Sequence, residues 1–128
     1  MDIIVYFDSL QRSIRQNHNI GVLEHPVVAQ AFDAYRGLFR AQVFFWDGSR
    51  LLIDEVIDTE AGYPEILRYS YAYLQQNTNV FRYDNAPHHP ELATFPHHKH
   101  IGPNEIPIAA ERPTLSQVFK EIERILLL

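Results

Sequence analysis

Between Phe39 and Ile57 the chain changes character at almost every residue. Phe39, Ala41, Val43 and Phe45 alternate with Arg40, Gln42, Phe44 and Trp46, Asp47-Gly48 follows, and Leu51, Ile53 and Ile57 then alternate with Asp54 and Asp58. A period of two on both sides of an Asp-Gly dipeptide specifies an antiparallel hairpin that buries one face. That face needs a cover, and the two ends of the chain can supply it. Asp2 can cap a helix in which Ile3, Phe7, Leu10 and Ile14 recur every three or four residues. Near the other end, Thr114 and Gln117 form a capping box ahead of the stripe Leu115, Val118, Phe119, Ile122, Ile125 and Leu126.

Further strands follow the hairpin. Gly62-Tyr63-Pro64 interrupts the chain, and Glu65 to Leu74 then sets Leu67, Tyr69, Tyr71 and Tyr73 against Arg68, Ser70 and Ala72. A polar turn, Gln75 to Asn79, leads to Val80–Asp84, which should pair antiparallel with the tyrosine strand. The turn length leaves open whether Arg82 shares a face with Ser70 or with Tyr71, because a slip of one residue exchanges faces. Val27 to Tyr35, just before Gly37, reads as a strand with poor alternation. The expected fold is α+β: a single domain over residues 1–128, with an antiparallel sheet of four to five strands flanked by N-terminal and C-terminal helices.

Six of the eight prolines lie between Pro87 and Pro113, and five of the seven histidines lie between His88 and His100. The prolines rule out a helix and predict a stiff connection holding one extended piece, His97 to Ile101. In that piece His98 and His100 share a face, separated by about 6.6 Å along the strand, while His97 and Lys99 share the other. Imidazoles side by side can act as acid and base. Cleaving RNA through its 2′-hydroxyl needs a base, an acid and a cation for the phosphorane, which His98, His100, His88 and His97 with Lys99 or Arg82 can provide without a metal. Tyr69, Tyr71 and Tyr83, with Arg68 beside them, are candidates for holding unpaired bases and phosphates.

The same histidines allow a different chemistry. His98 and His100 can face one divalent ion, with a third ligand from His88, His89 or Asp84, which would make the chain a metal-dependent hydrolase or a metal-binding protein. A protein-interaction module is the non-enzymatic alternative; Leu126-Leu127-Leu128 is either core or partner surface, which leaves room for a homodimer.

A formal charge of −5 opposes bulk coating of nucleic acid, although the fixed charges Arg82, Asp84, Glu91 and Lys99 cancel within the histidine segment. With no cysteine, disulfides and thiolate metal sites are excluded. No apolar run suits a membrane span and the start does not read as a signal peptide, so a cytoplasmic protein is expected.

The run Phe81-Arg82-Tyr83-Asp84-Asn85-Ala86-Pro87-His88-His89-Pro90, followed by Thr94-Phe95-Pro96-His97-His98-Lys99-His100-Ile101-Gly102, resembles the TumE family of toxin-antitoxin toxins. The upstream Arg68-Tyr69-Ser70-Tyr71 is similar to that family's pattern as well. The resemblance implies a small toxin encoded beside a cognate antitoxin and stopping growth by cleaving RNA. By layout alone the chain is also analogous to compact toxin nucleases of the RelE and barnase type. The acidic net charge departs from that of strongly basic ribosome-bound toxins.

Overall fold

Asp47-Gly48 turns the chain between two long strands, and Gly48 adopts a φ of 85°, open to glycine without steric cost. The computed structural model describes all 128 residues. In chain order they form α1 (Ile3–Arg15), β1 (Gly21–Ala31), β2 (Arg36–Phe45), β3 (Arg50–Asp58), β4 (Glu65–Gln75), β5 (Thr78–Asp84), β6 (His98–Ile101), β7 (Ile106–Ala109) and α2 (Leu115–Leu126). The sheet is an antiparallel meander whose spatial order is the chain order, β1 to β7. The α+β class with a helix at each end is as expected, but the sheet has seven strands where four to five were expected.

The sheet departs from expectation where proline and exposure hide the pattern. The strand expected over Val27 to Tyr35 is β1, which begins at Gly21, ends at Ala31 and is broken between Glu24 and Val28 around Pro26; as an edge strand it is mostly exposed, so its alternation is weak. β7 contains Pro107, which an edge strand tolerates because the missing N–H disrupts no central ladder.

One parity of residues on the central strands meets both helices. Phe39, Val43 and Phe45 of β2, Leu51, Ile53 and Ile57 of β3, Tyr69, Tyr71 and Tyr73 of β4, and Phe81 of β5 form a single core with Ile3, Phe7, Leu10 and Ile14 of α1 and Val118, Phe119 and Ile122 of α2. Gly37 allows a close crossing here, since a Cβ on it would lie 2.8 Å from the Phe7 ring and 2.5 Å from the Gln30 carbonyl. Leu67 does not join the tyrosines as expected. A bulge pairs Ile57 with Ile66 and Val56 with Arg68, which leaves Leu67 unpaired and about half exposed. At the chain end Leu126 enters the core and Leu127 and Leu128 are exposed. No helix is long and apolar enough to cross a membrane.

The helix caps form as the sequence indicates. The Asp2 carboxylate accepts from the Ile4 N–H at 2.8 Å, and Thr114 and Gln117 close a reciprocal capping box at 3.1 and 2.9 Å. Thr114→Ala should cost about 1 kcal/mol of unfolding free energy by denaturant titration.

Glu55 shares the core parity of Ile53 and Ile57 and is buried, with Tyr6 and Tyr71 each donating a hydroxyl to it at 2.5 Å. Burial raises its pKa, against the opposing hydrogen bonds from Tyr6 and Tyr71 and the charge of Arg112. A carboxyl raised in the folded state binds protons more readily than in the unfolded chain. Its contribution is therefore full below the unfolded value, about 4.3, and declines as pH rises through the folded value. Comparing the two proteins from pH 4 upward, Glu55→Gln should lose less stability with rising pH than the parent; parallel curves would exclude this role.

Candidate active site

A bulge on β5 settles where Arg82 points. Gln76 and Asn77 take φ of 49° and 61° and form a two-residue connection across which Gln75 pairs with Thr78 and Leu74 with Asn79, a register that by itself would set Arg82 opposite Tyr71. The bulge at Val80 shifts it by one, so that Ala72 pairs with Arg82 and Ser70 with Asp84, and Arg82 and Asp84 share the face of Ser70 and lie opposite the tyrosine core. β6 continues the pattern, with Asp84 paired to His98 and Arg82 to His100. One row thus crosses the sheet on its helix-free face: Arg40, Asp54, Ser70, Asp84, His98.

Asp84 is the hub of that row, and it is nearly closed to solvent. One carboxylate oxygen lies 2.9 Å from His98 Nε2 and accepts from the Ala86 N–H at 3.1 Å; the other accepts from Arg82 Nε at 2.9 Å and lies 3.6 Å from His100 Nε2. His98 is 1% exposed and His100 8%. Their rings meet edge to face with centroids 4.7 Å apart. On the far side of each ring, Nδ1 donates to a backbone carbonyl, Pro96 at 2.9 Å for His98 and Glu105 at 3.1 Å for His100; a carbonyl only accepts, which fixes the direction of both bonds. Glu105 also holds Arg82 through its side chain. Burial opposes the Arg82 charge, but hydrogen bonds to Asp84 and Glu105 raise its pKa overall.

The proline-rich connection folds over this face. Its turns are closed by hydrogen bonds from Leu92 N–H to the His89 carbonyl, Phe95 N–H to Leu92, and His97 N–H to Thr94. His89 adopts a φ of 61°, a left-handed conformation uncommon outside glycine, and its ring lies 5.4 Å from that of His98 and 5.7 Å from that of His100. The ring nitrogens of His89, His98 and His100 come within 4.8 Å of one another.

The structure brings His98, His100 and Arg82 together and separates the other candidates from them. His88 is exposed at the rim, with its ring 6.4 Å from that of His89. His97 points to the opposite face, stacking on Tyr69 and sharing a 2.8 Å hydrogen bond with its hydroxyl. Lys99 also lies on that face. It pairs with Glu121 at 2.6 Å above Tyr83, and although burial opposes its charge, Glu121 and Tyr83 raise its pKa; it is not the cation beside the histidine pair. Tyr69 and Tyr71 are buried in the core, and the Tyr83 hydroxyl donates to Glu121, so none of these three offers an exposed ring for stacking on the helix-free face, although Tyr69 borders the groove there. Arg68 does: it is exposed, forms no ion pair, and lines a groove of about 570 Å³ with Leu38, Arg40, Asp54, Val56 and Ser70. Asp84 and His89, considered in the sequence only as third ligands, are integral to the cluster. The bulge at Val80 determines the orientation of Asp84, and only the fold of the loop distinguishes His89 from His88.

No curated protein and no solved structure matches the chain. The family model described as Toxin TumE matches residues 10–126, a span that includes the whole sheet and every residue of the cluster, and the chain belongs to that family.

Proposed function

We propose that this chain is a cytoplasmic toxin that arrests growth by cutting RNA, that a cognate antitoxin silences it, and that single-stranded RNA lies along the helix-free face of the sheet. The observation that carries this reading is the continuity of groove and cluster: Ser70 lines the groove and pairs directly with Asp84 of the cluster. Arg68 presents an unpaired guanidinium in the groove, where a phosphate can be held bidentately, and Leu38 and Val56 give it an apolar floor. A bound phosphodiester would run diagonally from Arg68 toward Asp84, one strand over and two residues along, roughly 8 Å.

RNA carries its own nucleophile in the 2′-hydroxyl, so a protein of this size needs only to hold the phosphate, offset its developing charge and manage protons. The metal-free acid/base pair expected from the sequence requires a ring nitrogen directed at substrate. His98 and His100 direct Nδ1 at carbonyls and Nε2 at Asp84, so their contribution is to build the centre. The local cation is Arg82.

Purified full-length chain incubated with labelled single-stranded RNA should release fragments, and His100→Ala, which dismantles the charged centre, should slow release by about 10² and remove growth inhibition while its circular dichroism stays that of the parent. A folded, toxic parent that leaves RNA intact would sink the nuclease reading in favour of an interaction module. Arg68→Ala, at an exposed and unpaired site, should change stability by less than about 0.5 kcal/mol. It should weaken RNA binding and flatten the log–log salt dependence by about 0.7; an unchanged slope would remove Arg68 from the phosphate path.

A further inference from the structure

We infer that His89, His98 and His100, completed by Asp84, form a binding site for one divalent first-row transition-metal ion. The inference concerns the same cluster as the nuclease reading but does not depend on RNA. Three observations support it independently.

The first is convergence. Three imidazole nitrogens from two separate segments lie within 4.8 Å of one another, with a carboxylate oxygen 2.9 Å from one of them and the other carboxylate oxygen 3.6 Å from a second. Donors bound to one ion at about 2.0–2.1 Å stand roughly 2.9–3.4 Å apart for octahedral to tetrahedral angles, so the His98–Asp84 separation already fits, the His100–Asp84 separation is slightly long, and the imidazole nitrogens, up to 4.8 Å apart, close further on the ion. Three neutral imidazoles and one carboxylate are a donor set for zinc, nickel, iron or copper and a poor one for magnesium or calcium.

The second is orientation. His98 and His100 each donate Nδ1–H to a backbone carbonyl, which leaves Nε2 as the donor atom and fixes the plane of the ring, the outer arrangement that metal-bound histidines commonly use. Arg82 secures the carboxylate from behind, and Glu105 serves both partners, holding Arg82 with its side chain and accepting from His100 with its carbonyl.

The third is the delivery of His89. Its left-handed backbone directs its ring onto the His98–His100 pair from the loop above, and with Nδ1 3.4 Å from the Glu91 carboxylate its Nε2 is left to act as the third donor.

The direct test is zinc binding by the full chain after chelator treatment and dialysis, followed by calorimetric titration with Zn²⁺ alone. One ion per chain is expected for the parent. His89→Ala lies on the loop rather than in the core, so it should stay folded, and it should bind at least about a hundredfold more weakly, since even an outer-sphere partner is worth 10- to 100-fold. His100→Ala should behave likewise. Cobalt in place of zinc should give visible absorption bands in the parent that both variants lose. A parent without a stoichiometric site, or a His89→Ala variant that binds as tightly as the parent, overturns the inference. RNA plays no part in the titration: a protein that binds zinc but cuts nothing defeats the nuclease reading alone, and one that cuts RNA without binding zinc defeats the metal site alone.

Discussion

The two-residue period of the strands, with both helices on one side, governs everything else in this molecule. Because α1 and α2 share a face of the meander, one parity of side chains is committed to a core of phenylalanine, tyrosine and aliphatic residues, and the other is left for chemistry. Ser70, Asp84, Arg82, His98 and His100 are neighbours only because three strands, β4 to β6, keep that parity in register. Without the bulge at Val80, the register of the two-residue turn would carry Asp84 and Arg82 to the core side and bring Tyr83 out. Gln76 and Asn77, both in left-handed conformations, reverse the chain, and the one extra residue at Val80 sets the position of the site.

Residues Phe39 to Ile57 and both helices could be read directly because burial there is one-sided and strong, and the capping residues Asp2 and Thr114 mark where the helices begin. The His98 and His100 face was legible for the same reason, since alternation needs only an extended backbone. Three features were not. β1 lies at an edge, where most side chains face water and carry no pattern. Leu67 keeps the parity of the tyrosines in sequence, but a bulge on β4 displaces it. The tyrosines themselves show the limit of composition: an aromatic stripe suits base stacking and core packing equally, and Tyr71 and Tyr73, fully buried beneath the helices, serve packing. Glu55 did leave a signal, a carboxylate at core parity between Ile53 and Ile57, and such a residue is buried only when donors await it.

Two buried carboxylates on opposite faces of the sheet make the division of labour physical. Glu55 is satisfied within the helix-covered layer by the hydroxyls of Tyr6 and Tyr71, with Arg112 nearby, and through Tyr6 it ties α1 to the sheet. Its partners come from α1, β4 and the segment before α2 and close the group off, so it acts as a structural fastener. Asp84 gathers Arg82, the Ala86 N–H and two imidazoles, all from the loop end of β5 and β6, and the third imidazole is delivered by a proline-stiffened loop. Prolines in that loop restrict its unfolded states, which makes a left-handed His89 affordable at the top of the cluster.

The groove and the cluster thus meet at a boundary between two kinds of surface. On the Ser70 side the sheet is open, with Arg68 free to contact a phosphate; on the His98 side the loop closes it and expels water. Charge placed at the cluster acts through a poorly screened medium, whereas charge in the groove is screened. An ion or cation centred on Asp84 would therefore act most strongly on the phosphate nearest the loop, while Arg68, one strand away, contributes mainly to holding the chain. That separation of binding from charge stabilisation follows from which side of Ser70 the loop covers, and it assigns Arg68 an effect on affinity and Asp84 an effect on rate.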